Sequence, residues 1–327
     1  MERKIYSQSV TEGALAVAAD TSAMTPCAGP VVERTSARLP KWLKITAGFD
    51  PEYMRVRRVI RENNLHTVCS EAACPNIREC WGEGTATFMI LGKLCTRGCG
   101  FCDVLTGRPK GLDTDEPRRL AEGVSQLGLK QVVITSVTRD DLADGGASIF
   151  VATLSELRLR DPLVKVELLI PDMRGKMQPV LDILGARPDV FAHNVETVAR
   201  LYRRVRPGAK LQRSLDILRA AHEYKQRPVV KTGFMVGFGE TREEIIELFH
   251  QIYETGTDLV TIGQYLRPSE AHLPVVRYYP PEEFVELADI GHDIGFGHVE
   301  AGPLVRSSYK AFSQSKELLN KTAALSA

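Results

Sequence analysis

Short apolar runs recur along the chain from residue 85 onward, and amphipathic helical patterns separate them. The runs cover residues 85–92, 131–137, 164–170, 189–195, 228–237 and 257–263. The clearest helical pattern begins at Thr241, where Glu244 three residues later completes a capping box. Because strands that alternate with helices form parallel βαβ units, the pattern predicts an α/β fold. Six units are too few for a closed eightfold barrel, so we expect a partial (β/α)6 barrel of the TIM type, with its chemistry at the C-terminal ends of the strands.

The segments on either side of the barrel differ in pattern. Residues 1–40 are rich in small residues and lack periodicity, which predicts a flexible tail. Residues 41–84 form an N-terminal extension with a helix from Pro51, and residues 85–297 form the barrel. Residues 298–327 are expected to form a C-terminal segment of helix and loop.

Composition and charge exclude several classes of protein. The 327 residues are 43% hydrophobic and 25% charged, as in ordinary globular proteins. A net charge of +1 creates no field that would attract nucleic acid or an anionic membrane. No apolar run approaches the ~20 residues of a bilayer crossing, and the charged, acid-containing N-terminus resembles neither a secretory signal nor a transit peptide. We therefore expect a cytoplasmic protein without nucleic-acid or membrane partners.

The cysteines are clustered in a way that indicates metal chemistry. Six of the seven form two groups, which we call the first trio (Cys69, Cys74 and Cys80) and the second trio (Cys95, Cys99 and Cys102), and Cys27 stands alone. Clustered cysteines in a long cytoplasmic chain indicate metal or redox sites rather than a disulfide scaffold. The spacings C-x4-C-x5-C and C-x3-C-x2-C lack the paired C-x2-C knuckles of structural zinc sites.

Three closely spaced cysteines suit an iron–sulfur cluster with one iron that lacks a protein thiolate. A cubane cluster has four irons, each normally held by a thiolate, and an open iron can accept a substrate. Cys95 follows the first predicted strand by three residues, so the second trio is expected at the chemically active end of the barrel. Zinc binding or a purely structural role stays open for both trios on spacing alone.

The second trio, with Phe101 just before its last cysteine, resembles the radical S-adenosylmethionine superfamily. The first trio upstream and VRSSYKA at 305–311 extend the resemblance to the lipoyl synthase family. Further blocks of that kind are ITSVTRDDLADGGA (134–147), FAHNVETV (191–198), VRPGAK (205–210), KTGFMVGFGET (231–241) and QYLRPS (264–269). The resemblance runs from about Trp42 to the C-terminal helix, and Leu211 departs from it where an aromatic residue is common.

This resemblance implies two [4Fe–4S] clusters and S-adenosylmethionine as cofactors. The second trio would hold a cluster whose open iron binds the amine and carboxylate of S-adenosylmethionine. The electron it delivers would release a 5′-deoxyadenosyl radical, which removes hydrogen from C6 and C8 of an octanoyl chain linked to a lysine. The first trio would hold an auxiliary cluster that supplies both sulfurs, with Ser307 as its fourth, weaker ligand and Ser308 as the adjacent alternative.

The resemblance also implies partners and further contacts of the cofactor. The partners would be octanoylated lipoyl carrier domains, namely the E2 subunits of 2-oxoacid dehydrogenases and the H protein of glycine cleavage. A reductant such as flavodoxin or ferredoxin would feed the cluster. Phe101 would contact S-adenosylmethionine, Asn194 and Glu196 would bind its ribose hydroxyls, and Arg213 would pair with its carboxylate. The alternatives to these cofactor contacts are a polar loop that closes a barrel strand for Asn194 and Glu196 and a solvent-facing side chain for Arg213.

Two competing functions remain open at this point. One keeps the radical superfamily but changes the product, as in a biotin-synthase-like or methylthio-transferring enzyme. The chain has no appended RNA-binding β-domain and no basic stripe that would favour the second of these. The other is a non-enzymatic zinc or iron–sulfur scaffold that docks an acidic partner through the basic helix around residues 55–61.

Overall fold

The sheet contains eight strands in chain order in a computed structural model that describes residues 40–43, 50–72, 74–82 and 86–325. The strands are β1 His66–Thr67, β2 Thr87–Ile90, β3 Gln131–Ser136, β4 Lys165–Leu169, β5 Val190–Ala192, β6 Val229–Val236, β7 Leu259–Gln264 and β8 His298–Gly302. Strands β2 to β8 pair in parallel, and β1 pairs antiparallel with β2. The tail predicted for residues 1–40, with Cys27, lies outside the described residues apart from Pro40.

Helices connect successive strands and cover the sheet. They are α1 Pro51–Glu62, α2 Val68–Glu71, α3 Ile77–Gly82, α4 Glu116–Leu127, α5 Ala147–Arg160, α6 Met177–Gly185, α7 Tyr202–Val205, α8 Leu211–His222, α9 Arg242–Tyr253, α10 Pro281–Ile294 and α11 Ala311–Leu325. Short 3-10 turns occur at Lys41–Leu43, Met173–Gly175 and Ala199–Leu201. None of the helices in the described part of the chain is long and apolar enough to cross a membrane.

The predicted partial barrel is confirmed, and the sheet is larger than the six predicted units. All six apolar runs form strands, and neither end strand pairs with the other, so the barrel stays open. Strand β8 is an additional parallel strand, which lies within the segment predicted as helix and loop. Only Val299 and Gly302 of its five residues are buried, and the sequence lacks the continuous apolar run that marks the other strands.

Local sequence signals set the helix boundaries. Asp50 caps α1 by accepting a hydrogen bond from the Glu52 amide at 2.8 Å, and Pro51 occupies the first turn. At α9, Thr241 and Glu244 form the predicted capping box in both directions. Helix α4 ends at Gly128 in the left-handed conformation, which a residue with a side chain adopts only with strain.

The two faces of the sheet differ in polarity. Val132 and Ile134 of β3 pack into the hydrophobic core shared with the helices, so Val133 between them faces the barrel interior. Glu167 of β4 is in register with Val133 and therefore faces the same interior. Its carboxylate accepts a hydrogen bond from the Lys231 ammonium at 2.9 Å, and both side chains are fully buried. The barrel therefore encloses an ion pair that is shielded from water.

Candidate active site

The second trio lies on a loop that is fixed to the C-terminal ends of β2 and β3. The loop folds back on itself, because the Cys95 amide donates to the Leu105 carbonyl at 2.8 Å and the Gly107 amide donates to the Cys95 carbonyl at 2.9 Å. The amide of Thr138, just beyond β3, donates to the Cys95 sulfur at 3.3 Å. Such N–H···S bonds are among the interactions that tune iron–sulfur sites.

Arg97, inside this loop, links the second trio to the segments that follow β3 and β4. Its guanidinium forms a two-pronged pair with Asp140 at 2.6 and 2.8 Å and reaches Asp172 at 2.7 Å. Burial alone would raise the pKa of the Asp172 carboxyl, but Arg97 and then Arg213 hold it well below its usual range. The ionised Asp172, just after β4, thus anchors the loop that carries the cysteines.

Asp172 also forms an ion pair with Arg213. The Arg213 guanidinium contacts the Asp172 carboxylate at 2.7 Å and the Gly208 carbonyl at 3.5 Å. Arg213 was predicted to pair with the carboxylate of S-adenosylmethionine, and in the structure its guanidinium pairs with Asp172. This pairing also differs from the solvent-facing alternative, since Arg213 is only partly exposed.

Two thiols of the second trio, those of Cys99 and Cys102, are poorly solvated. Burial raises the pKa of Cys99 to about 12 and that of Cys102 to about 11, and in both cases the neighbouring cysteines and Glu196 add to the rise. Arg206 opposes this rise at Cys99. These thiols are therefore protonated at neutral pH when free, and binding of a metal centre would release their protons.

Asn194 and Glu196 follow β5 and lie close to the second trio, as the effect of Glu196 on the cysteine pKa values indicates. The Oδ1 atom of Asn194 is buried and has no hydrogen-bond partner among the described residues. Glu196 has a positive φ of 68°, which is unfavourable for a residue with a side chain. An unpaired buried acceptor beside a strained residue is a feature of binding sites.

Phe101 is held against an aromatic group at the end of the barrel. Its ring meets Phe238 edge-on, with 6.5 Å between the centroids, and Phe238 stacks on Tyr265 at 4.2 Å. The Leu273 amide donates to the Gly100 carbonyl at 2.9 Å, so the segment after β7 packs on the cysteine loop. The loop that carries Phe101 therefore packs against the loops that follow β6 and β7.

The first trio lines a separate cavity of about 180 Å³. Cys69 lies in α2, Cys74 in the following turn and Cys80 in α3. The turn is closed by the Cys74 amide, which donates to the Cys69 carbonyl at 3.1 Å. Burial raises the pKa of both Cys69 and Cys74.

The C-terminal segment closes this cavity on one side. The Asn76 amide group donates to the Leu304 carbonyl at 2.6 Å. The Tyr309 hydroxyl donates to Glu79 of α3 at 2.9 Å, and the Lys310 ammonium lies 3.3 Å from the same carboxylate. Ser308 lines the cavity, whereas Ser307 is not among its lining residues. Ser307 as the oxygen ligand beside the first trio stays a prediction, and its neighbour Ser308 is the serine that lines the cavity.

The two trios lie at opposite ends of the parallel strands. The cavity of the first trio is lined by Thr87 and Gln131, which are the first residues of β2 and β3. The second trio instead follows the C-terminal end of β2 and contacts Thr138 beyond the end of β3. The polar interior of the barrel thus lies between the two groups of cysteines, a relation that the spacing of the cysteines does not reveal.

Two arginines lie at these sites, of which Arg206 was not identified from the sequence and Arg306 was noted only as a residue flanking the serine pair. Arg206 donates to the Asn194 carbonyl at 2.7 Å and is the cation that lowers the pKa of Cys99. Arg306 lines the cavity of the first trio and is the cation that lowers the pKa of Cys74. Both stand in blocks that carried the family resemblance, VRPGAK and VRSSYKA, and that was the available signal.

The donor sets suit clusters better than a single ion. Within the described ranges, no three side chains of His, Cys, Asp or Glu are close enough together to hold one metal ion. The first trio lines one cavity with three soft thiols, and at the second trio the Thr138 amide donates to the Cys95 sulfur. The unpaired Asn194 Oδ1 provides an acceptor for a polar ligand at the second site. Soft thiols with an N–H donor to sulfur are the ligand chemistry that suits iron–sulfur centres.

Comparison with solved structures agrees on the fold. SuiB of Streptococcus suis, bound to precursor peptide SuiA, superposes with a TM-score of 0.53 at 14% identity, covering 74% of this chain and 55% of that one. HydG, a maturase of the [FeFe]-hydrogenase, superposes with a TM-score of 0.50 at 13% identity, covering 72% and 62%. At these identities the likeness concerns the fold alone.

Sequence comparison identifies the family. Residues 89–252 match the model of the radical SAM superfamily, and residues 27–74 match the model of the N-terminal domain of lipoyl synthase. The chain is 53% identical to the lipoyl synthase of Rubrobacter xylanophilus over 87% of this chain and 89% of that protein. It is 53% identical to that of Methylococcus capsulatus over 85% and 86%, and 51% identical to that of Bacillus cereus over 88% and 96%. The chain belongs to the lipoyl synthase family of radical S-adenosylmethionine enzymes.

Proposed function

We propose that this enzyme inserts two sulfur atoms at C6 and C8 of an octanoyl chain linked to a carrier lysine. The observation that carries the proposal is the placement of two cysteine trios at opposite ends of one barrel interior. Such a placement lets an extended acyl chain meet a radical source at one end and a sulfur source at the other. The identity of 51–53% with lipoyl synthases over most of the chain supports this product over that of a biotin-synthase-like enzyme.

The second trio holds the cluster that activates S-adenosylmethionine in this proposal. The bound pair supplies a carbon radical that removes hydrogen from an unactivated alkyl carbon, a step beyond side-chain acids and bases. The chain positions this chemistry. Thr138 donates to the Cys95 sulfur, Arg97 fixes the loop, and Asn194 presents its free Oδ1 acceptor toward a polar ligand. Glu196 binds the ribose hydroxyls together with Asn194, and Phe101 contacts the cofactor from the side of the loop.

The first trio holds a second, sacrificial cluster from which both sulfurs are taken. Three thiolates and one serine oxygen complete its ligand set, and we assign the oxygen to Ser308 because this residue lines the cavity. An oxygen donor is harder than a thiolate and binds iron less firmly, so it favours a cluster that must come apart. Glu79 contacts both Tyr309 and Lys310, and these contacts hold the segment that contains Ser308 over the cavity.

The substrates are octanoylated lipoyl carrier domains, with the E2 subunits of 2-oxoacid dehydrogenases and the H protein of glycine cleavage as the proposed examples. Electrons come from a small reductant such as flavodoxin or ferredoxin. The setting is the cytoplasm, since its reducing conditions keep clustered thiols free for iron. The family relationship supports lipoyl domains as a class, and the particular carriers and reductant are part of the proposal.

The decisive experiment is a mass spectrum of an octanoyl-lysyl carrier peptide after anaerobic reaction. The mixture contains the reconstituted enzyme, S-adenosylmethionine and a strong reductant. We expect a mass gain equal to two sulfurs replacing two hydrogens, together with 5′-deoxyadenosine. Deoxyadenosine with an unchanged peptide would retain the radical chemistry and refute the substrate. No deoxyadenosine from iron-loaded protein would refute the enzyme mechanism itself.

Iron analysis tests the two-cluster arrangement independently of activity. Two four-iron clusters predict about eight irons per chain in the reconstituted enzyme. About four irons would mean that one of the two trios holds no cluster. Zinc in place of iron would favour the non-enzymatic scaffold.

A further inference from the structure

Two arginines differ from every other partly or fully buried arginine in the described part of the chain. The others each pair with a carboxylate, as Arg97 does with Asp140 and Arg139 does with Asp141. Arg206 and Arg306 are partly buried, and neither has a carboxylate within ion-pair distance among the described residues. Each of the two instead lies beside a different cysteine trio.

The surroundings of Arg306 offer it little compensation. Its Nη1 atom donates to the carbonyl of the adjacent Val305 at 2.6 Å, and the thiol of Cys74, whose pKa is raised by burial, lies near it. Arg306 also lines the cavity of the first trio, together with all three of its cysteines. A guanidinium removed from water without an anionic partner is costly, because the loss of solvation is not repaid. This cavity is therefore organised for an anionic occupant.

We propose that Arg306 is the charge partner of the cluster held by the first trio, a positioning residue that stabilises the negative charge of that cluster. The inference rests on the proposed function, in which the first trio holds a [4Fe–4S] cluster. Such a core with three thiolate ligands is anionic, and its potential depends on net charge and surroundings. A fixed cation beside it favours the reduced form. Arg206 has the corresponding position beside the second trio and provides the matched control.

The charge also suits the chemistry of sulfur donation. A carbon radical that forms a C–S bond to a cluster sulfide leaves one electron on iron, which is reduced from the ferric to the ferrous state. No other oxidant or reductant is needed for that step. A nearby fixed positive charge favours uptake of the electron, so Arg306 assists the step without touching the substrate.

The test is a redox titration of the first-trio cluster, followed by electron paramagnetic resonance. The titration uses full-length protein in which the three cysteines of the second trio are alanine, so that one cluster is observed. Arg306→Gln removes the charge, and Arg306→Lys keeps it. For Arg306→Gln we expect the ratio of reduced to oxidised cluster at a given potential to fall at least tenfold, which is ~59 mV for one electron. Arg306→Lys and the control Arg206→Gln should retain the parent value.

Each outcome has a defined meaning. An unchanged potential in Arg306→Gln overturns the proposal. Loss of the cluster from Arg306→Gln, with full iron in Arg306→Lys and native circular dichroism in both, supports a requirement for the charge. Loss of the cluster from both variants overturns a charge role in favour of a role in shape. If the parent with an intact first trio assembles no four-iron cluster, then the proposed function fails at its second cluster, and the Arg306 variants are not the cause.

Discussion

Individual charged residues show that the interior of this barrel serves more than packing. Lys231 and Glu167 are fully buried and bind each other at 2.9 Å across the space that the strands enclose. Buried ion pairs contribute little to net stability because desolvation offsets their attraction. Breaking one by removing a single partner is nevertheless strongly destabilising, since it leaves a buried charge without compensation.

A double-mutant cycle on this pair is a first test at the residue scale. Lys231→Met should lower the free energy of unfolding by about 3–5 kcal/mol, because it strands the Glu167 carboxylate in the interior. The double variant Glu167→Leu with Lys231→Met should recover most of that loss. Urea unfolding of the three proteins measures both effects. If the double variant is as unstable as the single one, then the loss comes from packing rather than from charge.

The two adjacent serines of the C-terminal segment are the second test at this scale. Ser308 lines the cavity of the first trio and Ser307 does not, although the resemblance to the family favoured Ser307. We expect Ser308→Ala to lower bound iron from about eight toward about four per chain, since a three-ligand cluster is lost more easily. Ser307→Ala, the matched control, should retain its iron. The reverse pattern would restore Ser307 as the ligand.

At the scale of the element, the helix ends are the features that the sequence predicts most directly. The Thr241 hydroxyl oxygen accepts from the Glu244 amide at 3.3 Å, and the Glu244 carboxylate accepts from the Thr241 amide at 2.8 Å. These contacts depend on residues three positions apart, so short-range pattern is enough to find them. The two-residue strand β1 and the partly exposed strand β8 have no comparable short-range sequence signal.

Replacing the cap of α9 should therefore have a moderate, local cost. Thr241→Ala removes the side-chain acceptor and is expected to lower the free energy of unfolding by about 1 kcal/mol. Thr241→Ser keeps the hydroxyl and should stay close to the parent protein. Denaturant unfolding of both variants provides the comparison. A loss of equal size in the serine variant would show that the methyl group, and not the cap, accounts for the effect.

At the scale of the whole molecule, the barrel separates the two trios along the strand direction. The first trio lies at the starts of β2 and β3, and the second lies beyond their ends. In the proposed function this separation gives a division of labour, with cofactor cleavage at one end of the barrel and sulfur transfer at the other.

Alanine variants of the cysteines test this division. Cys95→Ala should abolish both 5′-deoxyadenosine and product, since no cluster remains to activate the cofactor. Cys69→Ala should retain deoxyadenosine formation and lose sulfur insertion. Chromatography of deoxyadenosine and mass spectrometry of the peptide measure the two activities separately, with Cys27→Ala as a cysteine control outside both trios. Equal loss of both activities in Cys69→Ala would contradict the division.

Much of the architecture follows from short-range pattern. The six apolar runs became six parallel strands, because a strand buried on both faces must be apolar over its length. The Thr241 capping box, the α/β class and the open barrel were also predicted correctly. The family could be identified from the cysteine spacing with Phe101 and the VRSSYKA block, since cluster ligands on one loop must lie close together in the chain.

The arrangement of the site was decided by long-range contacts. Ser308 and Arg306 reach the first trio only because the C-terminal segment packs on α3, more than two hundred residues away in the chain. Arg213 pairs with Asp172, a contact across 41 residues that its own helix pattern could not reveal. The sequence by itself therefore determined the family and the fold, and it predicts which residues bind iron. The tertiary structure decided which end of the barrel each trio occupies and which charges face it, because those relations arise only when distant segments pack together.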